Sequence, residues 1–130
     1  MTEYLTVTEV LAIHDDLIKR YGGAFGIRDK GLLESALFRP QTGYYADLLE
    51  QSAALWESLS QNHPFVDGNK RTAFAITYTF LLINGVRIAA SSAETEFFVL
   101  DLYARGTFGF ENIASWLRAN HVHVQITNPR

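Results

Sequence analysis

The residues best suited to chemistry stand together in the middle of the chain, in the run His63-Pro64-Phe65-Val66-Asp67-Gly68-Asn69-Lys70-Arg71-Thr72. This run combines a base, an acid, a glycine, an amide and two cations, and a strongly apolar stretch follows from Ala73 to Ile83. The order is typical of a phosphate site where a loop becomes a helix. The first N–H groups of a helix are unpaired there, and the helix dipole adds partial positive charge.

Four residues of the run are candidates for binding an anion. Gly68 can adopt a positive φ and, with Asn69, present backbone N–H groups to one phosphate. Lys70 and Arg71 add full positive charges beside them and would stabilise phosphate charge in a transition state. The four residues together predict a nucleotide or phosphate site.

Two further residues are candidates for catalysis. His63 is a candidate general base that takes a proton from a nucleophile, because histidine side chains commonly have this role in catalysis. Asp67 offers the oxygen ligands that Mg²⁺ prefers, and Mg²⁺ usually shares its ligands with substrate phosphates. Structural roles stay open, because Asp67 and Asn69 are also capping and turn residues and Phe65 suits a core anchor.

Two other motif interpretations do not fit. The spacing G-x-x-x-x-G-K-[S/T] of a P-loop is absent. His63 and Asp67 stand four apart, but Pro64 between them and Gly68 directly after Asp67 disfavour the regular helix that a zinc pair needs. The pair His121 and His123 is interpreted as part of a solvated tail.

Helical periodicity dominates the rest of the sequence. Thr6 to Glu9 reads as a capping box that opens a helix ending at Gly22-Gly23, and Asp29 and Ser92 are predicted caps of two later helices. We expect helices over residues 30–38, 46–61, 69–83, 93–104 and 111–119, an extended segment over 86–89, and an unassigned tail over 121–130. The helix over 69–83 is apolar on almost every face and therefore belongs at the centre of the fold. The fold class predicted is a compact all-α bundle, with residues 1–130 as one domain.

Composition excludes several classes of protein. Cysteine is absent, so disulfides and thiolate metal sites are excluded. The net charge is −3 and no basic cluster exceeds a pair, which argues against direct nucleic-acid binding. The start of the chain does not read as a secretory signal and no apolar run is long enough to span a bilayer, so we expect a cytoplasmic protein without membrane contact.

The motif resembles that of the Fic/Doc family, H-x-F-x-[D/E]-G-N-x-R. All six specified positions match in order, at His63, Phe65, Asp67, Gly68, Asn69 and Arg71. An upstream block also resembles the Doc (death-on-curing) branch, with Gly22-Gly23, the segments 26–29 and 31–36, and Arg39-Pro40. The resemblance covers roughly residues 4 to 105 and implies the all-α fold of that family.

The departures from the family pattern bear on the reaction. Relatives that transfer AMP have glycine where this chain has Lys70, and a second arginine where it has Phe74. Lysine at the first position is the mark of the Doc branch, for which the resemblance implies a kinase that moves the γ-phosphate of ATP, with Mg²⁺, to a protein hydroxyl. It implies His63 as base, Asp67 as metal ligand, and Lys70 and Arg71 as phosphate ligands.

The resemblance also implies a biological setting. Members of the Doc branch are toxins of type II toxin–antitoxin pairs that arrest translation, with elongation factor Tu as the protein substrate. A cognate antitoxin neutralises them through a C-terminal segment that folds as a helix on binding. AMP transfer to a protein hydroxyl and an inactive binding module stay open as alternatives.

Overall fold

The computed structural model describes residues 1–125, and helices dominate them. Within this described part there are six α-helices: α1 (Val7–Tyr21), α2 (Lys30–Phe38), α3 (Leu48–Asn62), α4 (Asn69–Ile83), α5 (Ser92–Ala104) and α6 (Phe110–Ala119). The predicted all-α fold is confirmed. The assignment of residues 1–130 to one domain stays a prediction, and the last five residues of the tail left unassigned lie outside the described part.

Local capping signals explain most of the helix starts. The Thr6 hydroxyl and the Glu9 carboxylate form the predicted capping box of α1, and Asp29 caps α2 as predicted. Asp47 caps α3, so that helix begins two residues later than expected. The predicted cap of α5 is wrong by one residue, because Ser91 rather than Ser92 accepts the backbone N–H of Glu94.

The core is built around α3 and α4. Nine residues of α3 are buried, and Trp56 is 1% exposed. The helix α4 packs against α3, α1 and the first strand, and buries Ile76, Phe80 and Leu81. The central position predicted for α4 therefore holds, although α3 is the more completely buried helix.

The strands β1 (Val86–Ile88) and β2 (His121–His123) form a small antiparallel sheet, in which Val86 pairs with His123 and Ile88 with His121. The extended segment was predicted, but its pairing with the tail was not. The sheet joins the end of α4 to the end of α6 and so closes the bundle.

None of the helices of residues 1–125 is both long enough and apolar enough to cross a bilayer.

Candidate functional site

The loop between α3 and α4 carries the candidate motif, and its first residue has an unusual backbone. His63 ends α3 in the left-handed conformation, with φ 48° and ψ 57°. The following Pro64 disfavours the right-handed helical conformation at this position, which explains why the helix stops there. The side chain of His63 is exposed and forms no hydrogen bond with another residue of the described chain. The ring is therefore accessible to a substrate.

Arg28 holds the start of the loop. Its guanidinium donates to the carbonyl oxygens of Asn62 and His63, both at 2.7 Å. These carbonyls belong to the last turn of α3, where helix geometry supplies no donor and a cation interacts well with the dipole. The backbone N–H of Arg28 also donates to the carbonyl of Pro64. Arg28 thus fixes the backbone of the candidate base.

Asn69 locks the loop onto the start of α4. Its Oδ1 accepts the backbone N–H of Phe65 at 2.9 Å, and its Nδ2 donates to the carbonyl of Phe65 at 3.0 Å. Phe65 is 1% exposed, so the amide satisfies buried backbone groups that would otherwise be unpaired. Asn69 therefore orients the loop through its side chain, while its backbone N–H is left for the anion site.

A buried histidine of α1, His14, contacts the loop. His14 of α1 is 1% exposed, and its ring stacks on Phe65 with centroids 4.0 Å apart. Its Nε2 donates to the carbonyl of Asp67 at 2.8 Å. Because a carbonyl only accepts, this contact places a proton on Nε2. The ring connects α1 to the backbone that carries the candidate metal ligand.

The carboxylate of Asp67 lies between the loop after α1 and the start of α4. Oδ2 accepts the backbone N–H of Ala24 at 3.2 Å, and Oδ1 accepts that of Gly68 at 2.9 Å. A Cβ placed on Gly23 would lie 2.8 Å from Oδ2, so only glycine allows this approach. The side chain is exposed, and both oxygens keep free lone pairs.

This single carboxylate fits Mg²⁺. Within residues 1–125 no three His, Cys, Asp or Glu side chains lie close enough to form a metal cluster of their own. Mg²⁺ is commonly held by one or two carboxylates together with substrate phosphates. Asp67, beside a phosphate site, meets that requirement.

The start of α4 presents an anion site. Gly68 precedes the helix in the left-handed region, with φ 73°. The first helical backbone bond runs from Thr72 to the Gly68 carbonyl. The backbone N–H groups of residues 69–71 therefore have no acceptor among the described residues. Three free N–H groups at a helix N-terminus attract an anion.

Lys70 and Arg71 diverge from this helix start, each toward an aromatic ring. Lys70 Nζ lies 4.3 Å from the ring centroid of Tyr103 on α5, and Arg71 Cζ lies 4.3 Å from that of Tyr21 at the end of α1. Within residues 1–125 neither cation forms a salt bridge. Their charges are therefore available to an anion.

A cleft of about 1160 Å³ opens beside these cations. Its walls come from α1, α4, β1 and α5, and include Arg20, Arg87, Glu96 and Leu100. On the α4 wall, Phe74 is half-buried and packs against Trp56, with ring centroids 5.5 Å apart. The position at which AMP-transferring relatives carry a second arginine is therefore an apolar contact in this chain.

Burial raises the pKa of the Tyr103 phenol above its ordinary value of 10.0, although the nearby Ser60 side chain opposes the shift. The phenol is therefore neutral at physiological pH. The ring beneath Lys70 carries no formal charge.

Comparison with known proteins shows the family to which the chain belongs. The model of the Fic/DOC family matches residues 4–81, which is more than half of the chain and includes the whole motif. The chain belongs to the Fic/DOC family. This assignment confirms the resemblance noted from the motif.

Two curated relatives narrow the comparison within the Fic/DOC family. The chain is 47% identical over 95 residues to the protein named Toxin Doc of Mycolicibacterium smegmatis. The aligned region covers 69% of this chain and 71% of that protein. The chain is also 34% identical over 119 residues to the protein named Protein kinase doc of Escherichia phage P1. In this case the aligned region covers 88% of this chain and 93% of that protein.

The geometry adds residues to the motif that sequence reasoning did not single out as functional. They are His14, Arg28, Tyr21 and Tyr103. Arg28 lies in the upstream block that resembled the family, so a signal for it was present. His14 and Tyr103 reach the motif from other helices, and nothing in their local sequence indicates this contact. The predicted roles of His63, Asp67, Gly68, Lys70 and Arg71 stay predictions, and the structure brings these residues to one loop and helix start.

Proposed function

We propose that this protein is the toxin of a type II toxin–antitoxin pair and transfers the γ-phosphate of ATP to a hydroxyl group of another protein. The observation that carries the proposal is the start of α4, which follows the exposed His63. Among the described residues, three backbone N–H groups there have no acceptor, and Lys70 and Arg71 have no carboxylate partner. The relatives named Toxin Doc and Protein kinase doc support the toxin and kinase activities.

The proposed reaction assigns a step to each residue. The His63 ring accepts the proton of the substrate hydroxyl as the oxygen attacks the γ-phosphorus. The bond from the γ-phosphorus to the bridging oxygen breaks, and ADP leaves. Lys70, Arg71 and the N–H groups at the α4 start stabilise the charge on the transferred group and on the leaving phosphate. Asp67 would hold Mg²⁺, which neutralises charge on the phosphates.

Lys70 and Phe74 favour phosphate transfer over AMP transfer. A four-carbon stem and an ammonium group at Lys70 occupy the space that glycine leaves open in AMP-transferring relatives. Phe74 packs on Trp56 and supplies no charge. The nucleotide is then held with its γ-phosphate toward the nucleophile.

The proposal includes the substrate and the partner. The substrate to test first is elongation factor Tu, the target that the resemblance implies, and modification of this factor would arrest translation in the cytoplasm. The partner is a cognate antitoxin that binds through its C-terminal segment. The apolar and exposed side of α5, where Phe97 is 73% and Leu100 is 55% exposed, supports a helical segment as its ligand.

The proposal is tested by transfer of labelled phosphate. Wild-type protein is incubated with Mg²⁺, cell extract and ATP labelled at the γ-position, beside a parallel sample labelled at the α-position. We expect label to enter protein only from the γ-position. In His63→Ala the rate should fall about 10²- to 10⁴-fold, as for loss of a general base.

The matched control is His123→Ala, which removes another exposed histidine, on β2. This variant should transfer phosphate like the wild type. A folded His63→Ala variant that transfers phosphate at the wild-type rate would refute the base assignment. Label that enters from the α-position would refute the kinase proposal.

A further inference from the structure

Two tyrosines bracket the cations of the motif. Lys70 and Arg71 are neighbours in α4, and consecutive helical side chains point in directions about 100° apart. One reaches Tyr103 on α5 and the other Tyr21 on α1, each at 4.3 Å from the ring centroid. This distance is well within the range at which a ring face attracts a cation.

The ring contact differs from a salt bridge in a way that matters at an anion site. A carboxylate partner would fix a cation but also neutralise it and compete with phosphate. A neutral ring fixes the cation through its quadrupole and leaves the full charge for an incoming anion. In the described chain, other arginines, such as Arg39 and Arg118, pair with carboxylates, whereas the two motif cations do not.

We propose that Tyr21 and Tyr103 are positioning residues that hold Arg71 and Lys70 apart from each other at the α4 N-terminus, ready for a polyphosphate chain. The inference rests on the proposed phosphate chemistry of this site. Long cationic side chains lose much rotamer freedom when they bind an anion. Side chains already held on rings lose less, so the site binds more tightly than free side chains would.

The two tyrosines differ in their surroundings, which makes the pair informative. Tyr21 is 62% exposed, so its replacement leaves the core intact. Tyr103 is half-buried and stacks on Phe108, with centroids 4.6 Å apart. Replacement of Tyr103 by an aliphatic residue therefore also affects packing. Tyr21 keeps the inference testable if a Tyr103 variant fails to fold.

The test compares leucine and phenylalanine at each position. The affinity for inorganic tripolyphosphate is measured by calorimetry. This measurement requires no transfer reaction and so does not depend on the kinase proposal. Tyr21→Leu and Tyr103→Leu should each weaken this binding about two- to five-fold, the effect of one exposed cation–π contact. Tyr21→Phe and Tyr103→Phe keep the ring face and should bind like the wild type.

A spectroscopic signature separates positioning from packing. Ring currents should shift the NMR resonances of the Lys70 and Arg71 side chains upfield in the wild type and in the phenylalanine variants. The shift should disappear for Arg71 in Tyr21→Leu and for Lys70 in Tyr103→Leu. Tyr44→Leu is the matched control, because Tyr44 is 83% exposed and its ring meets Tyr45 rather than a motif cation.

Equal binding and equal resonance positions in wild type and Tyr21→Leu would overturn the inference, as would a wild type that binds no tripolyphosphate. The transfer assay reports separately on the proposed function. Tripolyphosphate binding that depends on the rings, in a protein that transfers no phosphate, would support the positioning role and refute the kinase.

Discussion

Replacement of Asn69 by alanine tests whether the motif loop is held by one side-chain amide. The amide exchanges two hydrogen bonds with the backbone of Phe65, at 2.9 and 3.0 Å. Alanine keeps the helix start, because the cap of α4 is Gly68 and uses no side-chain bond. The change therefore removes the lock on the loop and little else.

The size of the effect depends on what replaces the amide. Two lost hydrogen bonds cost about 1–3 kcal/mol if water takes their place, and about 2–6 kcal/mol if both backbone groups stay unpaired. Phe65 is 1% exposed, but Asn69 itself is half-buried, so the vacated space opens toward solvent. Water can then reach both groups, and we expect a loss of about 1–3 kcal/mol in the free energy of unfolding.

Asn69→Ala should reduce the rate of phosphate transfer by more than the loss of folding stability alone would explain. The loop joins His63 to the anion site of α4, and misplacement by about 1 Å can reduce a rate about 10²-fold. Asn69→Asp should not restore function. One of its oxygens can still accept the N–H of Phe65, but the other would face the Phe65 carbonyl with no proton to donate.

Urea unfolding and phosphate transfer measure the two effects. The matched control is Asn120→Ala, which removes a single hydrogen bond from a side-chain amide to the Trp116 carbonyl at the end of α6. This control should lower the free energy of unfolding by about 0.5–1.5 kcal/mol and leave the rate of phosphate transfer unchanged. If Asn69→Ala keeps both its stability and its transfer rate, the amide does not hold the loop and the reasoning fails.

Two other predictions concern glycine geometry and pH. Gly23→Ala places a Cβ 2.8 Å from Asp67 Oδ2 and should raise the Mg²⁺ concentration needed for transfer. Gly22 also has a positive φ, but no atom lies within 4 Å of a Cβ placed there. Gly22→Ala should therefore lower the free energy of unfolding by about 1–3 kcal/mol and leave the Mg²⁺ requirement unchanged; equal Mg²⁺ requirements of Gly23→Ala and the wild type would refute the role of the contact. Burial raises the pKa of Asp47, but a backbone N–H of α3 and Arg118 lower it more, to below the ordinary 3.8. Because a depressed pKa stabilises the folded state above the unfolded pKa, Asp47→Asn should be less stable near pH 7 by at most about 1 kcal/mol, and the difference in urea unfolding should vanish as the pH falls below 3.8; a difference independent of pH would contradict the assignment.

The sequence predicted those parts of the fold that local signals determine. The capping box of α1 and the Asp29 cap place two helices within a residue of their observed starts. The error at α5 is instructive, because Ser91 and Glu94 have the spacing of a capping box, and this pair outweighs the adjacent Ser92. The pairing of β1 with β2 joins short segments far apart in the chain, and three-residue strands carry too little pattern to reveal it.

The candidate site likewise has a part that the sequence predicts and a part that only the tertiary structure reveals. The motif residues lie within one short run, so their proximity could be read from spacing. His14 and Tyr21 contact the motif because α1 packs on α4, and Tyr103 reaches Lys70 from the end of α5. Such contacts arise from tertiary structure. For Asn69, the sequence left both a loop-orienting and an anion-binding role open, and the geometry accommodates both, through the side chain and the backbone N–H respectively.

The central claim is that this protein moves the γ-phosphate of ATP to a protein hydroxyl. The most direct measurement is the intact mass of elongation factor Tu after incubation with the wild-type protein, ATP and Mg²⁺, followed by location of the modified residue in peptides. We predict a gain in mass equal to one phosphate group on a hydroxyl side chain, and no such gain with His63→Ala. A gain equal to AMP would contradict this claim. An unmodified factor, together with a parallel reaction in cell extract in which no protein gains phosphate, would also contradict it.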